Sequence, residues 1–143
     1  MKIAIMCSLD FPEEVLKIKL LLEEAGHEVS LPFTLARIIN GELNAEEIKS
    51  KKVAGELYKT TAKLDLIRKN WERLKAGDAV LIINLTKKGV ENYIGGNTFL
   101  EIGFAHVENK KTYLWNDIPN MPYSDEIRAM APIVINHDIS KIR

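Results

Sequence analysis

The chain has 143 residues, of which 46% are hydrophobic, and its 20 basic and 20 acidic side chains give a formal net charge of zero. This length is typical of one domain with a buried core, and this hydrophobic content excludes a disordered chain. A neutral surface argues against a nucleic-acid polymer as partner, although it permits a small local phosphate site. We therefore expect a single domain over residues 1–143.

Neither a membrane span nor an export signal is predicted from the sequence. No apolar run approaches the roughly 20 residues that a helix needs to cross a bilayer. The stretch MKIAIMCSLDF has too few apolar residues before Ser8 for a signal peptide. The single cysteine, Cys7, cannot form an intramolecular disulfide and suits a reducing compartment. These features predict a cytoplasmic protein without a membrane partner.

The first predicted element is a strand at 2–7, whose apolar residues are continuous rather than alternating, as in parallel strands buried on both faces. A helix follows at 12–25, where apolar residues recur at i, i+3 and i+4 spacing. Gly26 then occupies the position typical of a helix C-terminus, and His27 is expected to lie exposed in the turn. A weaker strand pattern follows at 27–31.

The middle of the chain predicts one or two helices over 45–75, which stop at Gly77. The apolar run 79–84 is the next strand, and the polar segment 85–95 is the longest connection that follows a strand. A further helix is predicted at 97–108. The remaining predicted elements are a strand at 111–115, a helix at 124–130 and a strand at 132–136.

Strands that alternate with helices indicate an α/β fold built from right-handed crossovers. The five strands predict a three-layer sandwich around a five-stranded parallel sheet, with the flavodoxin- or Rossmann-like order 2-1-3-4-5. Sheets of this kind bind ligands at the carboxyl ends of the strands, where the strand order reverses between the first and third strands. We therefore expect a small-molecule site at the loops that follow residues 7 and 84.

The stretch YIGGNTFLEIGFAHV, residues 93–107, places one carboxylate, Glu101, near the start of an otherwise apolar helix. Thr98 and Glu101 fit the S/T-x-x-E capping box, so one interpretation is that Glu101 caps its own helix. The other is that Glu101 meets a ligand, because its helix opens from a glycine loop at the edge where α/β sheets bind ligands. The two interpretations are not exclusive.

Side chains that follow several strands are expected to share this edge of the sheet. Asp10 is the predicted N-cap of the first helix, which leaves Ser8 freer to bind a ligand. Gly95 and Gly96 would let the backbone approach a ligand, and the helix N-terminus offers free N–H groups. The candidate substrate-binding residues are Ser8, Asp10, Asn84, Tyr93, Gly95, Gly96, Asn97 and Thr98.

Metal and cofactor motifs do not occur in the sequence. The three histidines have no partner at metal-ligand spacing, and there is no C-x-x-C or H-E-x-x-H motif. Neither a Walker A loop nor a GxGxxG fingerprint is present. Cys7 has no histidine placed to activate it, so we expect a buried small hydrophobe. The sequence therefore predicts neither a metal nor a redox cofactor.

The motif GGNTFLEIGFAHV, which follows a polar loop and precedes KKTYLW, resembles the nucleoside 2-deoxyribosyltransferase superfamily, including 2′-deoxynucleoside 5′-monophosphate N-glycosidases. The resemblance covers most of the chain in element order but is specific only at 95–105 and, less so, at CSLDF. It implies that Glu101 is a nucleophile that attacks the anomeric carbon of a nucleoside or its 5′-monophosphate. It also implies that Ser8 lies near the sugar or its 5′ substituent.

The chain departs from the superfamily pattern at two positions. The transferases carry an aspartate about six residues before the nucleophile, where this chain has Gly95, and a glycine four residues before it, where this chain has Asn97. Asp10, Glu91 and Asp117 are candidates to replace the aspartate that contacts the base.

Taken with this resemblance, the sequence indicates an enzyme that cleaves or transfers at an N-glycosidic bond. The alternatives are a non-catalytic nucleoside- or nucleotide-binding module, and a scaffold in which the motif glutamate only caps its helix.

Two further expectations concern phosphate and assembly. Lys87 and Lys88 share the expected ligand rim with Ser8, where they could bind a 5′-phosphate; a solvated turn is the alternative.

The segment 45–75 has apolar residues on more than one side, so some are expected to contact a second chain, with Tyr58 or Trp71 near the interface. The alternative is that its helices pack on each other within one chain. The resemblance also implies a homodimer or higher homo-oligomer, in which neighbouring chains border each pocket.

Overall fold

The computed structural model describes residues 1–143 and shows five strands in one parallel sheet. The spatial order of the strands is β2-β1-β3-β4-β5. The predicted α/β fold class and the predicted order 2-1-3-4-5 are therefore confirmed. The strands are β1 (Lys2–Cys7), β2 (Glu28–Ser30), β3 (Ala79–Ile83), β4 (Lys111–Leu114) and β5 (Ile133–Val134).

Seven α-helices and one short 3₁₀ helix, Ile139–Lys141, complete the fold. The α-helices are α1 (Pro12–Glu24), α2 (Phe33–Ile39), α3 (Ala45–Val53), α4 (Leu57–Lys63), α5 (Leu66–Ala76), α6 (Gly96–Val107) and α7 (Ser124–Ala129). The helices predicted at 12–25, 97–108 and 124–130 are each confirmed to within one residue at either end. None of the helices has the length and apolar character that crossing a bilayer requires.

The segment predicted to hold one or two helices forms three, because two residues in left-handed backbone conformations interrupt it. Gly55, with φ of 71°, ends α3, and Asp65, with φ of 49°, separates α4 from α5. The helix α2 is not predicted by periodicity, because its seven residues span only two turns, fewer than an amphipathic pattern needs to show.

The core lies on both faces of the sheet, as expected for a three-layer sandwich. The central strands β1 and β3 are almost completely buried, which accounts for their continuous apolar sequences. One face packs against α1 and α2, and the cluster there includes Ile5 and Leu81. The other face packs against α5, α6 and α7, and the cluster there includes Met6 and Ile102.

Two local predictions around α1 are wrong. Phe11, rather than Asp10, precedes the helix as its N-cap, and no side chain caps it. The reason is that the Asp10 carboxylate pairs with the ammonium group of Lys87, 2.5 Å away. After the helix, Gly26 has the expected positive φ of 88°. His27 is half-buried rather than exposed, and its Nδ1 atom is buried without a hydrogen-bond partner.

The strands β1 and β2 pair only over their first three residues, from Lys2 opposite Glu28 to Ala4 opposite Ser30. Beyond Ser30 the chain leaves the sheet and enters α2, whereas β1 continues to Cys7. The two chain segments therefore diverge, and the last part of β1 has no neighbouring strand on that side. This divergence creates an opening at the carboxyl edge of the sheet.

Burial divides the apolar residues of the segment from α3 to α5 into two groups. Leu66 and Leu74 are buried, whereas Val53, Tyr58 and Ile67 are 90%, 67% and 46% exposed. The helix α4 contains no buried residue at all. Packing within one chain therefore leaves part of the apolar surface uncovered, which supports the expectation of a second chain.

We propose that the exposed apolar surface of α4 and α5 mediates a homodimer. Light scattering at micromolar concentration is expected to give twice the 16.2 kDa mass of one chain. The substitution Tyr58→Glu should give the mass of one chain, because a charge cannot be buried unpaired at an interface. The matched control is Leu20→Glu, at a 49% exposed leucine of α1 on the opposite side of the sheet. A single-chain mass for the unsubstituted protein, unchanged on dilution, would contradict the proposal.

Candidate functional site

A cleft opens where β1 and β2 diverge, and Glu101 lies in it. Its walls come from the end of β1, the start of α2, and the helices α4, α5 and α6. The cleft has a volume of about 80 Å³, which is room for several water molecules if each needs about 10–15 Å³. More than half of the lining residues are hydrophobic, including Phe33 and Phe104. The carboxyl group of Glu101 is therefore set in a mainly apolar cleft that water can enter.

The structure shows that Glu101 does not belong to a capping box. The helix α6 begins at Gly96 with Gly95 as its N-cap, and no side chain caps it. Thr98 is therefore inside the first turn and buried, and Glu101 falls in the second turn. The capping prediction is wrong because the helix begins at Gly96, two residues before Thr98, so Thr98 does not occupy the N-cap position. Glu101 is only 7% exposed and lines the cleft.

Burial controls the charge of Glu101. Its carboxyl group forms no hydrogen bond or ion pair with the protein, and desolvation raises its pKa from 4.5 to about 7. The positive charge of Arg73 opposes this effect and keeps the pKa from rising further. A carboxyl group with this pKa is partly ionised at neutral pH, and its oxygens are unengaged. Both properties are typical of functional carboxylates.

Two asparagine side chains accompany Glu101 in the cleft, together with the hydroxyl groups of Thr34 and Thr61. Asn70, from α5, has a side-chain oxygen that is buried without a hydrogen-bond partner in the protein. An acceptor left unpaired in this way costs about 1–3 kcal/mol, so it provides a place for a donor from water or a ligand. Asn97, from the first turn of α6, lies exposed at the rim. Of the predicted site residues, only Asn97 and Glu101 line the cleft.

Cys7 also reaches the cleft, at the end of β1. Burial raises the pKa of its thiol, and the nearby carboxyl group of Glu101 raises the pKa further. A thiol in this environment stays protonated and is a poor nucleophile. The prediction that Cys7 is a buried small hydrophobe is confirmed.

Ser8 and Asp10 lie beside the cleft rather than in it, and Lys87 holds them both. The ammonium group of Lys87 donates to Ser8 Oγ at 2.9 Å and pairs with Asp10 Oδ2 at 2.5 Å. Burial alone would raise the pKa of Asp10, but the hydrogen bond and charge of Lys87 outweigh this effect and lower it. Leu9, between the two residues, does line the cleft, so the pair lies directly next to it.

Three more lysines gather around this pair. Lys52, from α3, has its pKa lowered first by burial and then by the adjacent charge of Lys87, with Lys88 acting in the same direction. Lys49, one turn earlier in α3, contributes to the lowered pKa of Asp10. We call Lys49, Lys52, Lys87 and Lys88 the lysine cluster. Asp10 pairs with Lys87 and Glu46 pairs with Lys49, so the four ammonium groups outnumber the two carboxylates that pair with them.

Tyr93 covers another side of the lysine cluster. The ammonium groups of Lys87 and Lys88 lie 5.7 Å and 5.9 Å from the centre of the Tyr93 ring. A β-carbon on Gly95 would come within 3.3 Å of this ring, so a side chain there would displace it. Gly95 therefore serves the packing of Tyr93, whereas Gly96 is exposed at the start of α6.

A second tyrosine fixes the start of α6 from the opposite side. The Tyr123 hydroxyl, at the start of α7, donates to the carbonyl oxygen of Ile94. Its ring stacks on Phe99 of α6 with 4.5 Å between the ring centres. The glycine loop and the first turn of α6 are therefore held against the body of the protein.

Asn84 has a structural role, in which both the amide nitrogen and the amide oxygen of its side chain are hydrogen-bonded. Its Nδ2 atom donates to the carbonyl oxygens of Asn116 and Asp117 at 3.2 Å and 2.9 Å. Its Oδ1 atom accepts from the backbone N–H of Asn116 at 2.9 Å. Asn84 therefore joins the loop after β3 to the loop after β4, away from the cleft.

None of the three acids considered as replacements for the superfamily aspartate lines the cleft. Asp10 is paired with Lys87, and Glu91 and Asp117 are exposed. Glu101 is the only carboxylate among the lining residues. The structure has no group of three or more histidine, cysteine, aspartate or glutamate side chains placed to hold a metal ion.

Comparison with protein-family models gives no match, and neither does comparison with curated protein sequences. Among solved structures, the chain is similar to the CMP N-glycosidase BcmB of Clostridium botulinum, with 15% sequence identity and a TM-score of 0.48. The similarity covers 94% of this chain and 85% of that chain. A similarity at this level establishes neither a family nor a function. The resemblance to the nucleoside 2-deoxyribosyltransferase superfamily stays a prediction.

The raised pKa of Glu101 predicts that Glu101→Gln stabilises the folded protein at alkaline pH. The shift from 4.5 to about 7 corresponds to about 3 kcal/mol that ionising the buried carboxyl group costs the folded state above pH 7. This cost is absent below pH 4.5, where the group is protonated in both states, and it develops as the pH rises to about 7. Urea unfolding at pH 4 and pH 8 measures it. A stability difference between the two proteins that is the same at both pH values would show that Glu101 is not buried as described.

Proposed function

We propose that the protein is an enzyme that cleaves the N-glycosidic bond of a nucleoside or nucleotide, with Glu101 as the nucleophile. The observation that supports this proposal is a buried carboxyl group that has no partner in the protein and faces a cleft at the carboxyl edge of the sheet. A carboxylate of this kind can stabilise a positively charged oxocarbenium-like centre or bond to it. The resemblance of the motif around Glu101 to the nucleoside 2-deoxyribosyltransferases supports the same reaction.

In the first step, a Glu101 oxygen forms a bond to the anomeric carbon while the bond from that carbon to the base nitrogen breaks. The electron pair of the broken bond stays on the base, which takes up a proton. In the second step, the oxygen of water bonds to the anomeric carbon and loses one proton to solvent, while the bond from that carbon to Glu101 breaks and frees the carboxylate. Hydrolysis results when water is the acceptor, and transfer results when a nitrogen of a second base takes its place.

The sugar and the base would contact different parts of the cleft. The unpaired oxygen of Asn70 can accept from a sugar hydroxyl, and Asn97 can bond to the ligand at the rim. The rings of Phe33 and Phe104 offer apolar surface to a flat base. The leaving base must draw its proton from water, because Glu101 is the only carboxyl group in the cleft.

The lack of a second acid is also the observation that favours the alternative function, a non-catalytic nucleoside- or nucleotide-binding module. Efficient departure of a base usually requires a positioned proton donor. The two functions predict the same ligands but different products. A thermal-shift screen of nucleosides and nucleotides, followed by chromatography of each ligand that binds, separates them: released base identifies the enzyme, and intact ligand identifies the binding module.

We expect Glu101→Gln to abolish base release, because the amide cannot bond to the anomeric carbon and leave as a carboxylate. In the unsubstituted protein, the rate should rise about tenfold per pH unit below the pKa of about 7 and level off above it, since only the ionised form attacks. Chromatographic measurement of free base between pH 5 and pH 9 tests both expectations. The control Glu91→Gln, at an exposed glutamate outside the cleft, should keep the rate. Base release at an unchanged rate in Glu101→Gln would end the nucleophile assignment.

The finer proposal is that the substrate carries a 5′-phosphate. The lysine cluster lies next to the cleft, and its four positive charges exceed those of its paired carboxylates, Asp10 and Glu46. A phosphate could take the place of Asp10 as the partner of Lys87 and also bond to Lys52. The Ser8 hydroxyl, already within 2.9 Å of Lys87, would complete this subsite.

We expect a deoxynucleoside monophosphate to bind more tightly than its deoxynucleoside, by about tenfold or more for charge-assisted hydrogen bonds to two lysines. Calorimetry at low and moderate salt should show that added salt removes part of this difference. Lys52→Gln should reduce the affinity for the monophosphate and leave that for the deoxynucleoside unchanged. The matched control is Lys51→Gln, at an exposed neighbour on α3. Equal, salt-insensitive affinities for the two ligands would contradict the phosphate subsite without affecting the role of Glu101.

A further inference from the structure

A half-buried arginine near the cleft makes hydrogen bonds that span the divergence of β1 and β2. Arg73, from α5, donates from Nη1 to the carbonyl oxygen of Ser30, the last residue of β2, at 2.9 Å. Its Nη2 atom donates to the carbonyl oxygen of Ile5 in β1, also at 2.9 Å, and contacts Met6 Sδ at 2.8 Å. The guanidinium group thus bridges the two strands at the point where their own pairing ends.

The bridge lies where the cleft begins. The last paired residues of the strands are Ala4 and Ser30, and the cleft is lined by residues a few positions further along each chain segment, Cys7 and Pro32. Asn70, which also lines the cleft, precedes Arg73 by one turn of α5. Arg73 therefore lies one turn of α5 beyond the residues that line the cleft, and it also lines a separate surface pocket beside Lys2 and Glu28.

The chemistry of Arg73 is unusual for a purely structural residue. It lies on the face of α5 that packs toward the sheet, where an apolar side chain would avoid the cost of burying a charge. Its Nε atom is buried without any partner. No carboxylate neutralises it through an ion pair, and burial lowers the pKa of Arg73. The charge nevertheless persists, because an arginine side chain stays protonated in proteins.

Few titratable groups face Glu101 from the elements around it. Cys7 comes from β1 and Arg73 from α5. The residues of α2, α4 and α6 that line the cleft carry no titratable side chain apart from Glu101 itself. The positive charge of Arg73 lowers the pKa of Glu101 without occupying the carboxylate oxygens.

We propose that Arg73 is a positioning residue for the cleft: it bridges β1 and β2 where they separate, and its fixed positive charge acts on Glu101 from one turn of α5 beyond Asn70. A salt bridge would also hold Glu101 ionised, but it would engage the oxygens that a ligand needs. A cation held by backbone carbonyls gives the electrostatic benefit and leaves those oxygens free. The inference concerns the charge state of Glu101 and does not depend on the proposed reaction.

The experiment is a carbon-13 NMR titration of the Glu101 carboxyl group, identified by the signal that disappears in Glu101→Gln. The substitutions are Arg73→Gln, which removes the charge and keeps an amide donor, and Arg73→Lys, which keeps the charge. We expect the titration midpoint of Glu101 to rise by about one pH unit or more in Arg73→Gln, the range typical of losing one nearby opposite charge. Arg73→Lys should keep the midpoint close to that of the unsubstituted protein.

A merely structural role predicts a different result. If Arg73 only bridges the strands, both substitutions lower stability while the titration midpoint of Glu101 stays where it was, and this outcome overturns the proposal. An equal shift in Arg73→Gln and Arg73→Lys overturns it as well, because the charge would then be irrelevant. Should Arg73→Gln be unfolded in buffer, the same titration is made in trimethylamine N-oxide, which favours the folded state. No substrate is needed, so the result is independent of any failure of the proposed enzyme activity.

Discussion

Burying the carboxyl group of Glu101 costs free energy, and the architecture around the cleft follows from how that cost is met. The group has no hydrogen-bond partner, so only solvent in the cleft and the charge of Arg73 favour its ionised form. Arg73 in turn is held by carbonyl oxygens that are free only because β2 stops pairing with β1 after Ser30. The short second strand, the arginine and the carboxylate therefore form one linked arrangement.

The sequence predicts the sheet well because each strand is buried on both faces and leaves a continuous apolar run. The central run 79–84 is almost entirely apolar and is bounded by turn residues, which is the pattern of a buried strand. The sequence predicts the segment between β2 and β3 less well. Its three helices are short and half-exposed, and their ends depend on backbone conformations at Gly55 and Asp65 that no periodic pattern reveals. The helix α2 is missed for the same reason, since two turns are too short to show a period.

In the candidate site, too, features that depend on neighbouring residues in the sequence could be predicted, whereas those that depend on tertiary contacts could not. Glu101 could be singled out because it interrupts an apolar helix next to two glycines. The burial of its carboxyl group could not be predicted, because it depends on tertiary packing against α4 and α5. Asn70 and Arg73 look like ordinary polar residues of an amphipathic helix, and nothing in the sequence indicates that they face inward. Lys52 likewise joins Lys87 only because α3 folds back over the loops.

The helix α4 connects the cleft to the outer surface of the protein. It contributes Leu57 and Thr61 to the cleft, yet it buries no residue of its own and exposes Tyr58. A wall with so little burial is held in place by a smaller local free energy than the buried core. With the proposed dimer, a second chain that covers Tyr58 stabilises the same wall that a bound ligand stabilises. Ligand binding and self-association are then thermodynamically linked, so the apparent affinity of the cleft rises with the concentration of the protein.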